Sequence, residues 1–309
     1  MALIIDCDPG VDDAVALLLA LASPELTLDC VTTVAGNVPL SWTSHNARQV
    51  CELAGCRDLP IYAGCPRPLL QPLLTAPDIH GETGLRGAIL PEPTLSLQST
   101  HGVVALIERL IKTESPVTLA TLGPLTNVAT ALIMAPDIAR RIERIVMMGG
   151  AMGLGNVTPS AEFNCYVDPH AAAVVFESGI PITMIGLDVT HQVLTTPERL
   201  AQIRALDSPV SMAVAGWLGF YGWSEATQKG WAGPPLHDPC VIAYLLRPEL
   251  FGAEPCVVQV SLTDPLTLGR TVVDRFGVTD TPTNAEVVLT VDSDGFYDLL
   301  LERLARYGS

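Results

Sequence analysis

Short apolar runs alternate with longer mixed segments along most of the chain. The runs are "ALIID" (2–6), "LDCVTTVA" (28–35), "PVTLATL" (116–122), "RIVMMG" (144–149) and "PITMIG" (181–186). They are largely continuous rather than alternating in apolar character, which predicts strands buried on both faces. Helix-like segments lie between them, near 12–22, 41–54, 102–113, 125–134 and 168–178. This alternation predicts an α/β fold: an open, mostly parallel or mixed sheet with helices on both faces. Residues 64–100 are rich in Pro and Gly and read as a long loop region. "AEVVLTVDSDGFYDLLLERLARYG" reads as a late strand followed by a C-terminal helix. No repeat, low-complexity tract or linker interrupts the pattern, so one domain over residues 1–309 is expected.

In open α/β sheets, ligands bind beyond the carboxyl ends of the strands. The polar clusters of this chain fall there. Asp6, Asp8, Asp12 and Asp13 follow the first strand, and Asn37 follows the second. Leu122 to Asn127 follow another, and a loop over 149–164 follows "RIVMMG".

Asp6 and Asp8 are two residues apart, so an extended backbone points both side chains the same way. Pro9-Gly10 forces a turn, and Asp12-Asp13 open the next helix, where exposed N–H groups favour negative charge. Helix capping accounts for one aspartate and leaves the others unexplained. Four carboxylates in eight residues repel one another and need a cation to stay ionised at a partly buried strand end. A hard divalent ion, Ca²⁺ or Mg²⁺, meets that need. An EF-hand loop starting at Asp6 fails, with Val11 at its sixth position and Leu17 at its twelfth. A strand ending in D-x-D also occurs in haloacid-dehalogenase-like Mg²⁺ phosphatases. Those need a phosphate-holding lysine, yet Lys112 lies in a helix body and Lys229 precedes no suitable acid pair.

Three other stretches are polar for their surroundings. "TVAGN" carries Asn37, "GNVTPSAEFNCYVDP" carries Asn156, Glu162 and Asn164, and "PPLHDPCVIAYLL" carries His237-Asp238. Asn and Asp often serve as caps and turns, and Asp168 before Pro169 reads as such a cap. Glu162 between such amides suits the binding of sugar hydroxyls. Trp217, Tyr221, Trp223 and Trp231 are candidates for contact with an aromatic ligand, although their spacing also suits a helix packing face.

Composition narrows the function further. The formal net charge is −16, which argues against nucleic-acid binding. No run reaches the roughly 18 apolar residues of a membrane span. No basic leader precedes the first strand, so a soluble cytoplasmic protein is expected. The 8 cysteines include no C-x-x-C pair, which suits reduced, packed thiols, and a zinc cluster from Cys51, Cys56 and Cys65 is disfavoured.

The motifs "DCDPGVDDAVAL", "AGN", "DIHGETGL", "LGPLTN", "GNVTPSAEFN" and "HDP", in this order, resemble the inosine-uridine-preferring nucleoside hydrolase family. That resemblance spans roughly residues 3 to 240 and implies a Rossmann-like open α/β sheet, a bound Ca²⁺ and hydrolysis of the N-glycosidic bond of ribonucleosides. It implies Asp8, Asp13, Asp238 and the backbone carbonyl of Leu122 as Ca²⁺ ligands, and Asp8 as general base for the attacking water. It implies Asp12, Asn37, Asn156, Glu162 and Asn164 as binders of the ribose hydroxyls, with Asp6 in support beside the metal. It implies His237 as the acid near the leaving base and His80 as a second imidazole at the base pocket. A small ribonucleoside is the expected partner, and a homodimer or homotetramer the expected assembly. Nothing in the sequence separates purine from pyrimidine preference. The phosphatase and a non-catalytic nucleoside- or ribose-binding protein are the alternatives.

Overall fold

The computed structural model describes residues 1–308. Its strands are β1 (Ala2–Cys7), β2 (Thr27–Thr33), β3 (Ile61–Ala63), β4 (Val117–Thr121), β5 (Ile142–Met148), β6 (Ile182–Ile185), β7 (Phe251–Val260), β8 (Thr271–Asp274) and β9 (Ala285–Val291). They form one open sheet in the order β3-β2-β1-β4-β5-β6-β9-β7-β8. Pairing is parallel from β3 across to β9. β7 then runs antiparallel to both β9 and β8. This is the mixed, mostly parallel sheet the alternating pattern predicts.

Successive residues of each strand point to opposite faces. Leu3, Ile5 and Cys7 of β1 enter one core and Ile4 enters the other. Val146 and Met148 of β5 divide from Ile145 and Met147 in the same way. Helices cover both cores, which is why the parallel strands are apolar at nearly every position. Among the described residues, no helix is long and apolar enough to cross a membrane.

Two features of this architecture place the candidate site. β1 pairs with β2 on one side and β4 on the other, so the chain winds away from β1 in both directions. The loops leaving the carboxyl ends of β1 and β4 therefore separate and open a crevice. The helix Val11–Leu21 is the second feature. Apart from its two aspartates it is apolar all round, and it is buried from Val11 to Ala20. It packs on the helix Pro239–Leu246, whose N-cap is Asp238, and so brings Asp238 to the aspartates after β1.

Some details differ from the pattern-based reading. β2 stops at Thr33, and Asn37 sits four residues on, in a bend. Within 64–100 the regular structure is the short helix Pro77–His80, plus a single bridge from Gln98 to Tyr62. The pattern did not indicate β3, β7 or β8.

Candidate active site

The crevice is a cavity of about 310 Å³. Asp12, Asn37, Leu122, Glu162, Asn164 and Asp238 line it, together with His80, Asn156, Tyr221 and His237. Most come from the segments after β1, β2, β4 and β5 and from the N-terminus of the helix Pro239–Leu246, while His80 ends the short helix Pro77–His80 and Tyr221 caps the helix Pro209–Phe220. Asp78 and Glu225 also line it, whereas no lysine or arginine does. Asp8 lies fully buried behind this lining.

The turn at Pro9-Gly10 is locked by the side chain of Asp13. Its Oδ1 accepts the Asp8 N–H at 3.0 Å, and its Oδ2 accepts the Gly10 N–H at 3.0 Å. Asp13 therefore does cap its helix. Asn37 adds a donor to the same loop: its Nδ2 reaches Asp13 Oδ2 at 3.0 Å and the Asp8 carbonyl at 3.2 Å. The Asn37 N–H also donates to Asp8 Oδ2 at 2.7 Å. Asp8 Oδ1 and Asp12 Oδ1 are different, because both are buried without a hydrogen-bond partner.

One carboxylate oxygen from each of Asp12, Asp13 and Asp238 can be chosen so that all three lie within 4.8 Å of one another. The resemblance implies Asp8 in this set, and the tight trio holds Asp12 in its place. Asp8 adjoins the trio, with its carboxyl close enough to Asp13 to share a proton. Burial and the crowding of like charges push Asp8 and Asp238 well above the usual carboxylate range. Asp13 is raised to about 6, chiefly by burial and then by Asp12. Such crowding is costly without positive charge, and an orphaned buried oxygen beside three further carboxylates fits a hard divalent cation.

Asp6 is set back from the cavity. Its Oδ1 accepts the Thr32 hydroxyl and, at 2.7 Å, the Asn127 amide. Burial raises it to about 7. Asn127 also donates to the Thr33 carbonyl at 3.0 Å and accepts the Cys65 N–H at 2.7 Å. It ties the ends of β1 and β2 to the segment after β3.

The loop after β5 is organised by Glu162. Its carboxylate accepts the N–H groups of Asn164 (2.8 Å), Gly150 (2.8 Å) and Cys165 (3.1 Å), so it caps the short helix Phe163–Val167. A carboxylate has about four acceptor positions, so one remains for a ligand hydroxyl. Asn164 Nδ2 donates to the Leu122 carbonyl at 2.7 Å and to the Met148 carbonyl at 3.2 Å. The Leu122 oxygen thus carries one amide bond and keeps a second lone pair. Asn156, exposed at the rim, accepts the Phe163 N–H at 2.9 Å.

Two imidazoles also line the cavity. His80 Nδ1 accepts the Val11 N–H at 3.1 Å, and burial pushes the ring down to about 3. It is therefore neutral, with its proton on Nε2. Asp12 Oδ1, at 3.9 Å from Nδ1, is not an ion-pair partner, since Nδ1 carries no proton. His237 Nδ1 bonds the Thr190 hydroxyl at 2.8 Å, and burial brings this ring down to about 4 against the opposing pull of Asp12.

Residue-type reasoning gave no role to Thr190 or Asn127, and treated Tyr221 only as one aromatic candidate. The Tyr221 hydroxyl donates to Asp12 Oδ2 at 3.0 Å, and its ring lies 5.3 Å from that of His80. Trp217 is fully buried in the core, and Trp223 donates to the Leu218 carbonyl. Trp231 packs on His191 at 4.8 Å. Neither lysine lines the cavity: Lys112 pairs with Glu108 and Lys229 with Glu225.

The crevice at the switch point of a mostly parallel sheet thus gathers buried carboxylates, amides and two imidazoles, with no cationic side chain in its lining. The sequence profile described as "Inosine-uridine preferring nucleoside hydrolase" matches residues 3–298. The chain belongs to this family of enzymes acting on N-glycosyl bonds. It is 49% identical over 306 residues to a pyrimidine-specific ribonucleoside hydrolase, RihA, of Shewanella sp. (strain MR-7), covering 99% of this chain and 96% of that one. A protein of the same description from Photobacterium profundum is also 49% identical, covering 99% of each chain. The solved structure of a purine-preferring ribonucleoside hydrolase from Gardnerella vaginalis superposes with a TM-score of 0.93 at 33% identity, covering 100% of this chain and 99% of that one.

Proposed function

We propose that the protein hydrolyses the N-glycosidic bond of pyrimidine ribonucleosides in a Ca²⁺-dependent reaction, giving ribose and the free base. The observation that carries this reading is the buried carboxylate group, with Asp8 Oδ1 unpartnered, at the base of a cavity lined by no cationic side chain. The pyrimidine preference follows the two relatives of that description at 49% identity.

Asp8, Asp13, Asp238 and the Leu122 carbonyl would hold the ion, with Asp12 alongside. When bound, the ion offsets the crowded carboxylates and supplies Lewis acidity toward the oxygens of water and ribose. Asp8 takes the proton of the attacking water. Asp12, Asn37, Asn156, Glu162 and Asn164 hold the ribose hydroxyls and so place the anomeric carbon. Breaking the bond leaves positive charge on the sugar, which the surrounding carboxylates stabilise. The base departs with negative charge and is a poor leaving group. His237 serves it as hydrogen donor, and His80, with its proton on Nε2, is a second donor. A phosphate would meet carboxylates and no cationic side chain in the lining, so a nucleoside 5′-monophosphate should be a far poorer substrate than its nucleoside.

Reducing-sugar release from cytidine, uridine, inosine, adenosine and guanosine tests the reaction. Release that needs Ca²⁺, stops with chelator and favours the two pyrimidine ribosides is expected. Binding of ribosides without release would instead identify a binding protein. Mg²⁺-dependent liberation of phosphate from a phosphomonoester would identify a phosphatase.

Proton competition gives a second test. Metal ligands must be ionised, and burial holds Asp13 near 6 and pushes Asp8 and Asp238 well above the usual carboxylate range. Protons therefore displace the cation as pH falls. Calorimetric titration should show Ca²⁺ affinity falling by at least about tenfold per pH unit below pH 6. An affinity independent of pH would place the ion away from these carboxylates.

A further inference from the structure

Thr190 ends the short helix Leu187–Thr190, just after β6, and is fully buried. The same helical turn holds the loop after β5. Asp188 accepts the N–H groups of Met152 (2.6 Å) and Gly153 (2.9 Å), and the Leu187 N–H donates to the Gly150 carbonyl at 2.9 Å. Thr190 is thus fixed on a rigid platform, and from it the hydroxyl reaches His237 Nδ1 at 2.8 Å. That bond occupies Nδ1 and leaves Nε2 as the ring nitrogen for the cavity, which His237 lines. The ring of His191, 5.9 Å away between centroids, gives the imidazole a neighbouring wall. The directional contact is the Thr190 hydroxyl.

We propose that Thr190 is a positioning residue, whose hydroxyl donates to His237 Nδ1 and so holds the imidazole with Nε2–H toward the leaving base. The inference rests on the hydrolase reading above. A hydroxyl that donates into the Nδ1 lone pair selects the tautomer with hydrogen on Nε2. As the bond between the anomeric carbon and the base nitrogen breaks, its electron pair moves onto the base. The Nε2–H hydrogen bond stabilises that charge. Water supplies the new carbon–oxygen bond, its proton passes to Asp8, and the base later recovers a proton from solvent.

Thr190→Val keeps the shape of the side chain and removes only the hydroxyl, while Thr190→Ser restores it. Each variant is assayed with Ca²⁺ on uridine and on 4-nitrophenyl β-D-ribofuranoside, whose leaving group is a stable anion needing no donor. Thr190→Val should lower kcat on uridine by about 10- to 100-fold, the usual range for removing a hydrogen bond that orients a functional imidazole. KM should stay within about threefold, because a transition-state contact is what is lost. The nitrophenyl riboside should be turned over at nearly the unmodified rate, which also reports that the variant is folded. Thr190→Ser should recover most of the uridine activity. Equal losses on both substrates, a change in KM alone, or no loss on uridine would each overturn the assignment. If the unmodified protein turned over neither riboside, the hydrolase reading itself would fail, and this inference with it.

Discussion

Asp8→Asn should lower turnover by at least about 10²-fold and, in metal-free buffer at neutral pH, raise the melting temperature. The two effects have one cause. Asp8 is fully buried, burial and neighbouring Asp13 raise its proton affinity well above the ordinary range, and one of its oxygens has no partner. A carboxyl whose folded pKa lies above its unfolded value favours the fold at low pH. That contribution is lost as pH rises through the folded pKa. At neutral pH without a cation, the fold therefore carries an uncompensated charge, which asparagine removes. Asparagine keeps an oxygen for the Asn37 N–H and gains an amide that can donate to Asp13. A gain of roughly 1 kcal/mol would raise the melting temperature by about 2 °C in a chain of this size. Turnover should fall by about 10²- to 10⁴-fold for loss of the base alone, and further if the cation is also lost. Added Ca²⁺ separates the unmodified protein from the variant. At 100 times its dissociation constant it stabilises the former by about 2.7 kcal/mol and should leave the latter nearly unchanged. A variant less stable than the parent without metal, yet as active as the parent, would contradict both the charge argument and the role of Asp8.

How much of this was visible beforehand depends on the distance along the chain over which each feature is encoded. β1, its turn and the helix after it are legible because apolar run, Pro9-Gly10 and capping acid lie within 20 residues. The site loops are legible as polar interruptions at strand ends, and the ordered motifs carry the family. The edge of the sheet is not. β7 contains Pro255 and polar Glu254, which count against a strand except at an edge, and β8 has only four residues. The supporting contacts are the least visible. Thr190 meets His237 across 47 residues, Asn127 meets Asp6 across 121 and Tyr221 meets Asp12 across 209. Tertiary packing creates such pairs, and no local period or spacing encodes them.

Two glycines show a different kind of concealment, and the second large effect follows from them. Gly36 in "TVAGN" and Gly123 in "LGPLTN" stand against the Asp8 carboxylate. A Cβ on Gly123 would come 2.7 Å from Asp8 Cγ and closer still to Oδ1, the unpartnered oxygen. A Cβ on Gly36 would come 2.9 Å from the same Cγ and 2.8 Å from Pro124 Cδ. Ordinary contact between such atoms begins at about 3.5 Å. Both glycines are thus required by the place of one carboxylate, a reason no turn rule supplies. Gly123→Ala should displace Asp8, and a shift of about 1 Å at a positioned group can cost about 10²-fold in rate. The overpacking should also destabilise the protein by about 1–3 kcal/mol, with a weaker response of the melting temperature to Ca²⁺. The decisive measurement is the double variant. If Gly123→Ala acts through Asp8, adding it to Asp8→Asn should cost almost no further activity, because the group it displaces is already disabled. Independent losses that multiply would mean that the loop after β4 contributes to catalysis by a route that does not pass through Asp8.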